Sequence, residues 1–191
     1  MQNIHDQPNE EENYVALVNF NNIKILDKTD NIFAADKIEN IEILENVDNI
    51  EVGNKVDNIT INNGVDTIKI YDKINDIKIS DKVKYIQFGE KVNNINMENK
   101  VNNILIQENA ENIYSKQGIN YINVREEVNK IKTKNIKEIQ IKENVNIIKS
   151  EKIREIKSNG NINKIESNGN ANNKYKNILV GLYFLLGFPF S

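Results

Sequence analysis

Residues 47–64 read VDNIEVGNK-VDNITINNG, so that one nine-residue pattern occurs twice in succession. Apolar residues occupy its first, fourth and sixth positions, as Val56, Ile59 and Ile61 do in the second copy. The same spacing covers the range 20–167, interrupted only at two places where one residue is missing. A short period that fills most of a chain is typical of repeat architectures.

The spacing predicts strands rather than helices. An α-helix turns about 100° per residue, so the three apolar positions would scatter around it and form no stripe. In a strand the fourth and sixth positions share one face, and Ile and Val suit such a surface. The next three residues are rich in Asn, Asp and Gly, which favour tight turns, and both Pro8 and Pro189 lie outside the repeat. We therefore predict an all-β chain of short Asn-Ile-x-Ile strands and three-residue turns.

The fold class predicted is a parallel β-solenoid with two sheets. One unit is too short to enclose a packed interior, whereas two units, about 18 residues, close a coil with a strand on each side. The repeat would then form about eight coils. A triangular helix of about 27 residues per coil is an alternative, as is a one-layer antiparallel meander. The meander would leave its apolar face without a partner.

The pattern divides the chain into three parts. Residues 1–16 are predicted to be a polar leader and cap, residues 17–170 the solenoid, and residues 171–191 a linker with an apolar C-terminal tail. The leader lacks the basic start and apolar run of a signal peptide, so we expect a cytoplasmic location by default.

The ends of a solenoid expose strand edges to which a second chain can add. We expect residues 10–19 to cap the first coil, with Tyr14, Ala16 and Val18 turned inward. The apolar tail, residues 178–190, is shorter than the roughly 20 residues of a membrane-spanning helix. It is expected either to cap the last coils or to join a partner, a second copy or a membrane surface.

Composition excludes several functions. The chain is 28% charged with a net charge of −3, a balance that disfavours nucleic-acid binding driven by bulk electrostatics. It contains no Cys and one His, His5, so neither a nucleophilic triad nor a His or Cys metal site can be assembled. No Gly-Gly-x-Gly-x-Asp turn of calcium-binding β-rolls occurs. We expect no catalytic, cofactor-binding or metal-binding residues, and no enzyme activity.

Two columns of polar residues follow the repeat. An Asn column precedes the fourth position and is expected to form a structural hydrogen-bonded ladder. Its members are Asn22, Asn31, Asn40, Asn49, Asn58, Asn94, Asn103 and Asn112. A Lys column closes the turns, where an anionic polymer could bind it, but neighbouring acids favour exposed, mutually paired turns. Its members are Lys28, Lys37, Lys55, Lys73, Lys82, Lys91 and Lys100.

One set of apolar residues falls outside the inward positions. Tyr85, Leu105, Tyr114 and Tyr121 are predicted to form an exposed patch near the middle of the array, the candidate interaction surface. The alternative is scattered surface aromatics, since single exposed apolar residues are ordinary.

The unit at residues 56–64 resembles the L-x-x-L-x-L-x-x-N stretch of leucine-rich repeats, with Ile and Val in place of Leu. It is closer to the Ile- and Val-rich leucine-rich-repeat-like arrays of microbial surface proteins and some large DNA viruses. The return segment here is another copy of the strand unit. The resemblance implies a protein-binding or adhesive scaffold and carries over no functional residue.

We therefore predict a non-catalytic repeat scaffold for protein–protein interaction, with a protein partner and no nucleic acid. The alternative is a structural or adhesive element that self-associates at the solenoid ends or is anchored by its apolar tail. Membrane contact is expected only through residues 178–190.

Overall fold

The computed structural model describes residues 21–167 in full and the backbone of residues 2–4 and 14–17. These residues form strands and turns. The strands are β1 (Gln2–Ile4), β2 (Tyr14–Leu17), β3 (Asn22–Ile25), β4 (Thr29–Ala34), β5 (Ile38–Ile43), β6 (Val47–Val52), β7 (Val56–Ile61), β8 (Val65–Ile70), β9 (Ile74–Ile79), β10 (Val83–Phe88), β11 (Val92–Met97), β12 (Val101–Ile106), β13 (Ala110–Ser115), β14 (Ile119–Val124), β15 (Val128–Ile141), β16 (Val145–Ser158) and β17 (Ile162–Ser167).

The chain winds as a parallel β-solenoid of about eight turns with about 18 residues per coil, which confirms the predicted fold class. Each strand from β1 to β13 pairs in parallel with the strand two places further along the chain, so Val83 of β10 lies beside Val101 of β12. Odd-numbered strands up to β13, the first halves of β15 and β16, and β17 form one side, here called face A. Even-numbered strands up to β14 and the second halves of β15 and β16 form the other, face B.

The strands are longer than predicted. A typical strand has six residues, and its first, fourth and sixth side chains are buried, as in β7. Two successive outward residues cannot occur in a straight strand, where side chains alternate. The ladder register accordingly skips the second position: Val101 pairs with Ile119 and Asn103 with Tyr121, but Asn102 is not in register. The backbone therefore bends at the second position, and the first residue joins the core.

The two missing residues shorten two turns without breaking the ladder. β15 and β16 each run through both faces, and they pair over their whole length from Val128 with Val145 to Ile141 with Ser158. Their offset is 17 residues rather than 18 because each two-residue turn closes its coil one residue earlier.

The eighth position of the repeat explains the Asn and Asp of the turns. The side-chain carboxylate of Asp72 accepts a hydrogen bond from the backbone N–H of Lys73 at 2.6 Å, and Asp81 does the same for Lys82 at 2.7 Å. An Asx side chain thus satisfies a backbone donor that the tight turn leaves without a ladder partner.

The core is a continuous file of Ile and Val whose sixth position becomes polar near the C-terminal coils. Ser115, Thr133, Ser150 and Ser158 are buried there. Each hydroxyl donates to a turn carbonyl, as Ser150 does to Lys134 at 3.2 Å and Ser158 to Gly160 at 3.0 Å. This column of the core therefore loses apolar side chains near the C-terminal coils, and the hydroxyls that replace them are hydrogen-bonded.

The first strands differ from expectation in register. β1 pairs with β3, and β2 pairs with β4. In β2, Val15 and Leu17 lie beside the buried Ile32 and Ala34, whereas Ala16 lies beside the exposed Phe33. The backbone register therefore places Val15 and Leu17, and not the predicted Tyr14 and Ala16, in line with the buried positions of β4.

Several expectations fall outside the described residues. These include Val18, the lone His5 and the apolar tail at residues 178–190. Among the residues that are described, none belongs to a helix capable of crossing a membrane.

Candidate interaction surface

The solenoid separates the four residues of the predicted patch. Tyr85, Leu105 and Tyr121 lie on face B, on the adjacent strands β10, β12 and β14. Tyr114 lies on β13 of face A, between Asn96 and Lys132. Successive nine-residue units alternate between faces, so a residue nine positions away belongs to the opposite side of the molecule.

The three face B residues belong to a larger uncharged patch. The outward third and fifth positions of β10, β12 and β14 are all uncharged, although 28% of the chain is charged. We call these six residues the uncharged patch: Tyr85, Gln87, Asn103, Leu105, Tyr121 and Asn123. Tyr85, Leu105 and Tyr121 line one shallow groove of about 290 Å³. Lys69 and Glu138 bound the patch at its two ends.

Both tyrosines of the uncharged patch have a polar neighbour. The Tyr85 hydroxyl donates a hydrogen bond to Oε1 of Gln87 at 3.1 Å. The Lys137 ammonium lies 5.3 Å from the centre of the Tyr121 ring, a cation–π contact. These contacts hold the rings in place, and Tyr121 still remains 40% exposed.

Two further exposed aromatic residues were missed by the sequence reasoning. Phe33 on β4 is 41% exposed, and Tyr71, in the turn after β8, is 45% exposed. With Tyr121, these are the exposed large hydrophobic residues of the range 21–167, and all belong to face B or its edge. The Tyr71 hydroxyl donates to Oε1 of Glu51 at 2.8 Å, and this bond raises the pKa of the phenol. Listing the outward residues of alternate units separately, one list for each face, would have shown Phe33 at the fifth position of β4 on face B.

Face A carries the amide ladders that the Asn column predicted. Asn40 donates to Asn22 at 2.6 Å, and Asn58 donates to Asn40 at 2.9 Å. A second stretch runs from Asp76 through Asn94 to Asn112. Face B has one such bond in this column, from Asn49 to Asn31. Amides that bond to one another along face A are less available to a partner than the side chains of the uncharged patch.

The Lys column is also split between the two edges. Lys37, Lys55, Lys73 and Lys91 precede strands of face A, whereas Lys28, Lys82 and Lys100 precede strands of face B. Three of these lysines pair with acids: Lys55 with Asp57 at 2.7 Å, Lys73 with Glu90 at 3.9 Å, and Lys91 with Glu111 at 3.1 Å. The expected pairing with acids is present at these three lysines, but Asp57 and Glu111 lie at the second position of a strand and not in a turn.

Face A becomes basic near its C-terminal coils. Lys132 lies over the Tyr114 ring at 5.6 Å, and its ladder neighbour Lys149 pairs with Glu166 at 2.5 Å. Lys164 also pairs with Glu166 at 2.6 Å. The two ammonium groups, that of Lys149 first, lower the pKa of the Glu166 carboxyl to about 2.

No group of three or more His, Asp or Glu side chains in the described part of the chain is placed to hold a metal ion. Comparison of the chain with models of protein families, with curated proteins and with solved structures yields no match. The interpretation of function therefore depends on the geometry of the two faces.

Proposed function

We propose that this chain is a non-catalytic repeat scaffold for protein–protein interaction, and that face B is its docking surface. The observation that carries the proposal is the uncharged patch, which spans three adjacent strands and presents two tyrosines and a leucine in a chain that is 28% charged. Interface centres are depleted in charge and enriched in Tyr, whereas their rims are polar. The charged residues Lys69 and Glu138 at the limits of the patch fit that arrangement.

The rigidity of the solenoid supports the same proposal. Each outward side chain of the patch is adjacent in sequence to a fully buried isoleucine, as Leu105 is to Ile104. A surface held this firmly loses little conformational entropy when a partner binds. Shallow grooves along sheet faces lack the long loops that build enzyme clefts, which favours binding over catalysis.

Two charge-introducing variants test the docking surface. Leu105→Asp places a carboxylate at the centre of the uncharged patch, and Asn96→Asp places one at the same repeat position on face A. Proteins that the unaltered chain captures from a cell extract should no longer bind to the Leu105→Asp variant. They should still bind to the Asn96→Asp variant. Loss of charge-neutral contacts at an interface centre costs about 2 kcal/mol or more, roughly a 30-fold weaker Kd. Equal capture by all three chains would overturn the proposal, and so would an unaltered chain that neither captures a protein nor binds a second copy of itself.

A further inference from the structure

The charges that flank the uncharged patch change sign along the solenoid. On the N-terminal side, face B carries Asp48 and Glu51 on β6 and Asp66 at the start of β8. On the C-terminal side it carries Lys137 on β15, with Arg154 and Lys157 on β16. Asp48, Lys137 and Arg154 are exposed. Lys69 on β8 opposes the three acids, and Glu138 and Glu155 oppose the three basic residues, so face B has an excess of acids before the patch and an excess of basic residues after it.

This order makes face B complementary to itself. A two-fold axis that lies parallel to the strands and passes over β12 reverses the order of the coils but keeps each position along a strand. It places Asp66 opposite Lys137, Asp48 opposite Arg154, and Glu51 opposite Lys157 of the second copy. At the centre, Leu105 meets Leu105, and Tyr85 meets Tyr121. We propose that face B binds a second copy of this chain in this antiparallel arrangement.

No like charges meet at the outward positions of this arrangement. Lys69 faces Gln140, Thr67 faces Glu138, Asn49 faces Glu155, and Lys84 faces Asn120. A parallel arrangement, with the two-fold axis along the solenoid, would bring Asp48 against Glu51 and Arg154 against Lys157. Like charges that face each other across an interface cost several kcal/mol, so the antiparallel arrangement is favoured.

The size of the surface agrees with a specific dimer. The contact would include the face B strands from β6 to the second half of β16, with strands about 4.8 Å apart and about 20 Å long. That corresponds to about 700 Å² per copy, close to the roughly 800 Å² per partner of a standard interface. Packing sheet against sheet also covers the exposed ring of Tyr121.

Some of these charges already have partners within the chain. Asp66 pairs with Lys84 at 2.5 Å, and Lys157 pairs with Glu138 at 2.7 Å. Asp48 and Arg154 have no ion pair within the range 21–167, so they are the pair whose charges the second copy would neutralise most directly. This inference rests on the proposed docking surface and specifies its occupant.

Charge reversal at these two positions tests the arrangement, with self-association measured by sedimentation of the full chain over a range of concentrations. Asp48→Arg alone sets two arginines against each other at both ends of the contact, and Arg154→Asp alone sets two acids against each other. Each variant should weaken self-association at least about tenfold. An equimolar mixture should recover it, because every reversed residue then faces an opposite charge in the other copy.

A face A variant provides the control. Lys78→Glu reverses an exposed charge on β9 and should leave self-association unchanged. Weakening by all three variants, or failure of the mixture to recover, would overturn the antiparallel arrangement. If the chain is monomeric but captures another protein, and Leu105→Asp abolishes that capture, self-association is overturned and the proposed function stands. A monomer that captures nothing would overturn both.

Discussion

At the residue scale, the inward positions were predictable because their chemistry allows one interpretation. Ile77 and Ile79, at the fourth and sixth positions of their unit, are fully buried, and Lys78 between them is exposed. The buried hydroxyls were less predictable, since Ser in an apolar column normally indicates a weakened core. Ser115 shows why it is tolerated: its hydroxyl donates to the carbonyl of Gly118 in its own turn at 3.2 Å.

Substitution at Ile77 tests the assigned inward face. Ile77→Asn should lose about 1.5–3 kcal/mol of apolar burial, together with the cost of burying an amide. Lys78→Asn, one residue away, should change the free energy of unfolding by less than about 0.5 kcal/mol. The midpoints of urea unfolding measure both, and equal shifts for the two variants would contradict the assignment.

At the element scale, the period decided the strands and their parallel stacking, but the length of each strand depended on more than the period. Strand alternation places inward residues two apart, so the predicted strand covered only the third to sixth positions and left out the buried first position. Only the bend at the second position allows it to join the strand. The division of the patch follows from the stacking: Tyr114 and Tyr121 are close in sequence, yet the coil places them on opposite faces.

The turns provide a matched pair of glycines on face B. Gly53 and Gly89 both follow the sixth position, and each donates its N–H to the preceding coil, to Ala34 at 2.7 Å and to Ile70 at 2.8 Å. A Cβ at Gly53 would have its nearest neighbours at 3.7 Å, in ordinary contact. A Cβ at Gly89 would clash with the Tyr71 carbonyl oxygen and lie 3.0 Å from its carbonyl carbon.

Gly89→Ala should therefore destabilise the fold by about 1–3 kcal/mol, as overpacking against fixed backbone does. Gly53→Ala should be neutral or stabilise by up to about 1 kcal/mol, because alanine restricts the unfolded chain. Thermal unfolding of the two variants measures the difference. A larger loss from Gly53→Ala than from Gly89→Ala would contradict the close approach of the coils at Tyr71.

At the scale of the whole molecule, a solenoid has no contacts between distant coils, so its stability depends on each coil and its neighbours. Sequence reasoning could predict the parallel solenoid and its number of coils from the period alone. It could not predict that face B is complementary to itself, because that property appears only when alternate units are placed in one sheet. Asp48 and Arg154 are far apart in the chain and are related only through the stacked strands between them.

The sixth position of the core predicts a gradient of local stability along this axis. From β5 to β12 that position is fully apolar, as in Ile43 and Ile106, whereas β15 to β17 carry Thr133, Ser150, Ser158 and Ser167. Each replacement of Ile by Ser removes about 1.5–3 kcal/mol of apolar burial from one coil. Because coils depend mainly on their neighbours, that loss stays local instead of spreading over the molecule.

Amide hydrogen exchange resolved by strand should therefore show the strongest protection in β6 to β12, with protection falling through β15 and β16 to β17. Strands β3 to β5 control for fraying, because they lie as near to the other end of the fully described range but keep apolar sixth positions in Ile25, Ala34 and Ile43. They should exchange more slowly than β16 and β17. Equal protection from β3 to β17 would mean that the solenoid opens as one unit and that coupling between coils exceeds the difference in their cores.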